Sequence, residues 1–193
     1  LLLLVYLVIL KFLEEHKKLM EKFFKNLSKN ILVNINSDED LMLNFWGDDS
    51  HFTRFNQSKV RQNGFVSDAT LSITLIHNQK TCSTSFSLTK NLSNDLAVAL
   101  DHLNVLRNDI VFLPEDPFIV FPKEGQSSSQ KKTGKLLSID NVVDSLSPAI
   151  KNVDLAGIWA SGNIFIGYAN SKGLFHWFST DSYSFDYSLI TET

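Results

Sequence analysis

Apolar and polar positions alternate most clearly in Ala69-Thr70-Leu71-Ser72-Ile73-Thr74-Leu75-Ile76. Ala69, Leu71, Ile73 and Leu75 fall on one face, and Thr70, Ser72 and Thr74 on the other. That is the period of a half-buried strand. His77-Asn78-Gln79-Lys80 breaks the run and Thr81 to Leu88 resumes it, which predicts an antiparallel hairpin. Residues 51–90 thus read as a series of strands. A first strand is expected over Leu41 to Trp46, with Gly47-Asp48-Asp49-Ser50 turning the chain back.

Elsewhere the period is helical. From Met20, Phe23, Phe24, Leu27, Ile31 and Leu32 recur at helix spacing among Lys22, Lys25 and Lys29, predicting a short amphipathic helix over the sheet. Leu96, Leu100, Leu103 and Leu106 predict a second helix, with Ser93 or Asn94 as N-cap, Asp95 in the first turn and Leu113-Pro114 as the stop. Gly125 to Lys132 is polar and aperiodic and reads as a linker or exposed loop. Ser138-Ile139-Asp140 predicts the cap of a short helix through Val142, Val143 and Leu146, closing before Pro148. Strands return as LAGIWASG, NIFIGYAN, a Ser171-Lys172-Gly173 turn, LFHWFST and SYSFDYSLI. The last alternates almost strictly and leaves one apolar face to be covered.

Leu1 to Leu10 is wholly apolar but falls short of the ~20 residues a membrane-spanning helix needs. It also lacks the basic flank and cleavage site of a signal peptide. Residues 1–19 are set apart as an apolar leader of uncertain origin, Met20 being the favoured start and an upstream membrane segment the alternative. Residues 20–123 are expected to form an N-terminal α+β domain, 124–137 a linker or exposed loop, and 138–193 the start of a second domain. The net charge of −3, from 18 basic and 21 acidic side chains without long blocks, gives no field to recruit nucleic acid or an anionic membrane. The single cysteine, Cys82, has no internal disulfide partner, no ligand-spaced neighbour and no group to lower its pKa. A reducing, cytoplasmic location follows as an expectation.

Two segments carry a family resemblance. Thr53-Arg54-Phe55-Asn56-Gln57-Ser58-Lys59-Val60-Arg61-Gln62 is similar to the N-terminal signature of the TldD/PmbA family: an Arg-Phe pair, a small polar turn and a Gln in the returning strand. Asp154-Leu155-Ala156-Gly157-Ile158-Trp159-Ala160-Ser161-Gly162, followed by Tyr168-Ala169-Asn170-Ser171-Lys172-Gly173, resembles the start of that family's second domain. The family was first described as candidate modulators of DNA gyrase and is now regarded as peptidases with their partners. The resemblance implies an antiparallel sheet covered by helices, followed by the first strands of a truncated β-rich domain. It also implies a metallopeptidase system, a homo- or hetero-dimer with a TldD/PmbA-type subunit, and an unfolded peptide or protein as substrate. In the peptidase members zinc is held by an H-E-x-x-x-H helix, whose imidazoles and carboxylate activate water. That motif is absent. His16, His51, His77, His102 and His176 include no pair at four- or five-residue spacing. No catalytic residue and no cofactor are therefore expected in this chain, zinc being expected only beyond Thr193. Whether the parent is an enzyme stays open, because PmbA-type members lack the metal.

The candidate substrate-binding residues are Arg54, Asn56, Arg61, Gln62 and Asn170. Arg54, Arg61 and Gln62 could line a groove that grips an extended peptide by its backbone or carboxylate. Against this, the arginines read more simply as solvated strand residues or as partners of Asp49 or Asp68, and Asn56 and Asn170 as turn formers. His176, alone in an aromatic strand, reads as a packed, hydrogen-bonded residue. Trp159, Trp177, Phe165, Phe175 and Phe178 read as core or interface. With neither a phosphate loop nor a basic stripe, charge gives the gyrase label no support. The alternative to the peptidase system is a non-enzymatic protein-interaction module.

Overall fold

The computed structural model describes residues 2–151 and 153–190. Its elements run α1 (Leu2–Leu32), β1 (Asp40–Asn56), β2 (Lys59–His77), β3 (Lys80–Ser87), α2 (Leu92–Ile110), β4 (Ser128–Lys131), α3 (Ile139–Ile150), β5 (Asp154–Asn170) and β6 (Phe175–Ile190). The chain is α+β, and the strands form a sheet in the order β3-β2-β1-β5-β6-β4. Two compact units interleave along the chain. One comprises Leu1–Trp46, Ala69–Gln130 and Phe165–Phe178, the other Gly47–Asp68, Lys131–Ile164 and Ser179–Thr193.

In the first unit the alternation of β2 fixes the core. Ala69, Leu71, Ile73 and Leu75 are buried, and the register Leu75↔Cys82, Ile73↔Thr84, Leu71↔Phe86 puts the matching face of β3 beside them. The β2–β3 turn is the expected one. Asn78 and Gln79 have φ of 49° and 56°, the left-handed pair of a type I′ turn, whose twist matches the flanking strands. From α1, Met20, Phe24, Leu27 and Ile31 descend onto Leu41, Leu43 and Phe45 of β1, Phe165 of β5 and Trp177 of β6. Phe24 is the hub, its ring centroid lying 5.2 Å from Phe45 and 6.1 Å from Trp177. Gly167 makes room for it. A Cβ there would meet the Phe24 ring at 2.5 Å.

The helix predicted from Met20 is the C-terminal part of the longer α1, and the burial of Leu1–Leu10 lies outside the described residues. No helix among the described residues is long and apolar enough to cross a membrane. The second helix, α2, starts earlier than its leucines suggest. Its N-cap is Asn91, whose Oδ1 accepts from Asn94 N at 3.2 Å, instead of Ser93 or Asn94. Asp95 is buried in the first turn and accepts from Thr89 N and Oγ1, both at 2.8 Å, which anchors the β3–α2 connection. The buried stripe of α2 is Ala99, Leu103, Leu106 and Ile110, with Leu96 packed against the core.

Arg107 of α2 reaches the turn before β1. Its Nε and Nη2 each contact the Glu39 carboxylate at 2.8 Å, and Nη2 also donates to Asn34 O at 2.9 Å. This two-pronged contact, helped by the Asn36 backbone amide, outweighs burial and holds the Glu39 pKa down at about 2.

In the second unit α3 covers a smaller core of Phe55, Val142, Leu155 and Trp159, with Leu146 and Phe185 against it. Three expectations are corrected in the structure. Gly47 to Ser50 does not turn. β1 runs straight through it because buried Asp49 accepts a hydrogen bond from Ser67 Oγ, so a turn-like sequence is satisfied across the strand. Likewise the four short strands expected after Leu155 are two long ones, β5 and β6, joined by the one turn that was foreseen. Finally, α3 continues through Pro148, whose missing amide costs a single bond in the last turn. The 124–137 segment is exposed almost throughout and contributes β4.

Candidate functional site

The β1–β2 hairpin closes in the second unit through Gln57 and Ser58, with φ of 50° and 51°, another left-handed pair. Arg61 secures it. Its Nε donates to Asn56 O at 3.1 Å and its Nη2 to Gln57 Oε1 at 2.8 Å. Ser58 fastens the tip to β5, its amide donating to Leu155 O at 3.0 Å while its hydroxyl donates to Val153 O and accepts from Leu155 N at 3.1 Å.

Beside this tip lies a groove of about 510 Å3, formed by Arg54, Phe55 and Asn56 of β1, Ala156, Gly157 and Ile158 of β5, and Asp186, Tyr187 and Ser188 of β6. Phe55, Leu155, Trp159 and Phe185 pack against α3, so strand alternation puts Arg54, Asn56, Ala156, Ile158, Asp186 and Ser188 on the opposite, uncovered face. Gly157, on the α3 side of β5, sets the spacing between the β5 and β6 walls. A Cβ there would come within 2.6 Å of Asp186 O and 2.8 Å of Tyr187 Cβ, so only glycine lets β6 lie this close.

Of the sequence candidates, Arg54 and Asn56 line the groove. Arg61 and Gln62 follow on β2, where Gln62 is exposed and Arg61 is committed to the turn. Asn170 belongs to the first unit and is fully buried. Its Oδ1 accepts from Lys172 N at 3.1 Å and Leu174 N at 3.0 Å, while Nδ2 donates to Pro122 O at 2.7 Å and Tyr168 Oη at 3.2 Å. Those four bonds organise the β5–β6 turn. Gly157, Ile158, Asp186, Tyr187 and Ser188 were not picked out by sequence reasoning. Asp186 was findable in principle, being the only charge in the alternating aromatic run Ser182–Leu189.

A second cavity, of about 230 Å3, belongs to the first unit and is lined by Ser128, Gln130, Ile166, Tyr168 and His176, among others. Ser128 Oγ and His176 Nδ1 share a hydrogen bond of 2.9 Å, so His176 is the bonded strand residue anticipated. Among the described residues no carboxylate bonds its other ring nitrogen, and a base without an orienting partner is a weak candidate for proton transfer. Nor do the described residues include a group of three or more His, Cys, Asp or Glu able to hold a metal ion.

No family model and no curated protein matches this sequence. Solved structures do match, and all three of the following share its α+β fold. TldE from Thermococcus kodakarensis superposes with a TM-score of 0.60 at 14% identity, covering 86% of this chain and 42% of that one. A candidate modulator of DNA gyrase from Bacteroides thetaiotaomicron gives 0.57 at 16%, covering 87% and 40%. Another, from Thermotoga maritima, gives 0.56 at 14%, covering 88% and 43%. The α+β class expected from the sequence is therefore the class observed, and the fold is like that of these three proteins. The chain spans about two-fifths of the length of these proteins.

Proposed function

We propose that this chain is the N-terminal part of a TldD/PmbA-type protein in a metallopeptidase system, and that it binds peptide without performing the chemistry. The observation that carries this reading is the fold likeness over 86% to 88% of the chain to TldE and two candidate gyrase modulators. The groove beside the β1–β2 tip supplies what such a role requires: an uncovered sheet face, a cation, an anion and neutral hydrogen-bonding groups from Asn56 and Ser188. Among the described residues no donor set of three or more His, Cys, Asp or Glu would suit zinc. Cytoplasmic placement belongs to the same proposal, supported by the lone, unbridged Cys82.

Fluorescence anisotropy of a dye-labelled unfolded peptide tests it. Saturable binding, weakened by Ala156→Trp on the groove floor, is expected; wild-type protein that binds no unfolded peptide would sink the proposal. Tyr183, Tyr187, Leu189 and Ile190 are each more than half exposed along β6 and offer a surface for the proposed homo- or hetero-dimer. The same exposed side chains favour a second reading, a non-enzymatic interaction module. Reading the coding DNA past codon 193 separates the two, because an in-frame H-E-x-x-x-H supports the peptidase system.

A further inference from the structure

We infer that the groove is a receptor for the free C-terminus of a short peptide, with the α-carboxylate on Arg54 and a positively charged peptide group about three residues earlier on Asp186. This deepens the peptide-binding reading and rests on it. Arg54 and Asp186 are the charged residues lining the groove, one on β1 and the other on β6. Both are exposed, and among the described residues neither has an ion pair or a side-chain hydrogen bond. The neighbouring guanidinium is already used, because Arg61 is held by Asn56 O and the Gln57 side chain. Arg54 thus keeps its planar fork of donors for an incoming carboxylate.

Strand order explains why the two charges do not neutralise each other. β5 lies between β1 and β6, so Arg54 and Asp186 stand roughly two strand spacings, about 10 Å, apart on the same face. No direct ion pair closes that distance, whereas about three residues of extended chain span it. Between them β5 presents the side chains of Ala156 and Ile158, a floor without charge. A chain end reaches both charges within this span with no residue beyond the carboxylate, so a free C-terminus satisfies the geometry on its own. A ligand carrying both signs satisfies both walls; one carrying only negative charge gains at Arg54 and is opposed at Asp186.

The test is calorimetric titration of the 193-residue protein with acetyl-Lys-Ala-Ala ending in a free carboxylate, in its terminal amide, and in acetyl-Lys-Ala-Glu-amide. The acid should bind about tenfold tighter than the amide, the scale of one charge-assisted hydrogen-bonded contact. Arg54→Gln should abolish that difference while leaving amide binding unchanged, and Arg54→Lys, which keeps the charge but loses the fork, should restore part of it. Asp186→Asn should weaken the lysine peptide and spare its alanine counterpart. Equal binding of acid and amide by the wild type overturns the inference while leaving peptide binding intact; binding of neither peptide overturns both. Recovery of affinity by the glutamate peptide overturns the chain-end assignment in favour of an acidic side chain.

Discussion

Glu39 is 6% exposed at its side chain and grips Arg107 with both carboxylate oxygens. Its pKa is lowered from 4.5 to about 2, so the contact stabilises the fold fully above the unfolded value and its contribution is lost as pH falls through about 2. At neutral pH it is worth about 3 kcal/mol. Glu39→Gln should therefore cost about 2–3 kcal/mol in urea denaturation at pH 7 and flatten the stability profile between pH 4.5 and 2. Gly167 is constrained sterically. Gly167→Val sets side-chain atoms against the buried Phe24 ring and should lower stability by about 1–3 kcal/mol in the same assay. Neither effect was visible in the sequence. Glu39 sits in an ordinary acidic run, and the Gly167–Phe24 contact joins residues remote in the chain.

At the scale of elements, legibility followed the source of the signal. The Ala69–Leu75 alternation and the polar break at Asn78-Gln79 are local, and the structure keeps both the buried face and the hairpin. Gly47-Asp48-Asp49-Ser50 carried an equally local turn signal, yet it is strand because Ser67 satisfies Asp49 from the neighbouring chain segment. Non-local satisfaction of a polar side chain overrides turn propensity, and periodicity within a window cannot register it. The groove shows the same division: its β1 wall was found beside a recognisable turn, whereas its β5 and β6 walls arrive about a hundred residues later. The β2–β3 turn also suggests an improvement. Gln79 occupies a left-handed position that glycine adopts without penalty, so Gln79→Gly should stabilise by about 0.5–1 kcal/mol, read as a rise in Tm of roughly 2–4 °C.

On the scale of the whole molecule, the chain carries 193 residues, and the 112–137 stretch is largely exposed, with Lys131 ending β4, Lys132 directly after it, bonded through its amide to Ser179 O, and Lys123 and Lys135 away from any strand. Limited trypsin digestion should cut first at Lys123 or Lys135, leaving circular dichroism of the nicked protein close to native; first cleavage at the buried Lys17 of α1 or the half-buried Arg107 of α2 would contradict the described exposure. The Asn170-Ser171 step has a slower consequence. Spontaneous deamidation requires the Ser171 amide nitrogen to attack the Asn170 side-chain carbon. In the folded protein that nitrogen donates to Leu41 O at 3.0 Å, and the Asn170 amide is held by four hydrogen bonds. Ageing at this site therefore proceeds through molecules that have opened. The accumulation of aspartate and isoaspartate at position 170, followed by mass spectrometry over weeks, becomes a clock for how often the β5–β6 turn comes undone.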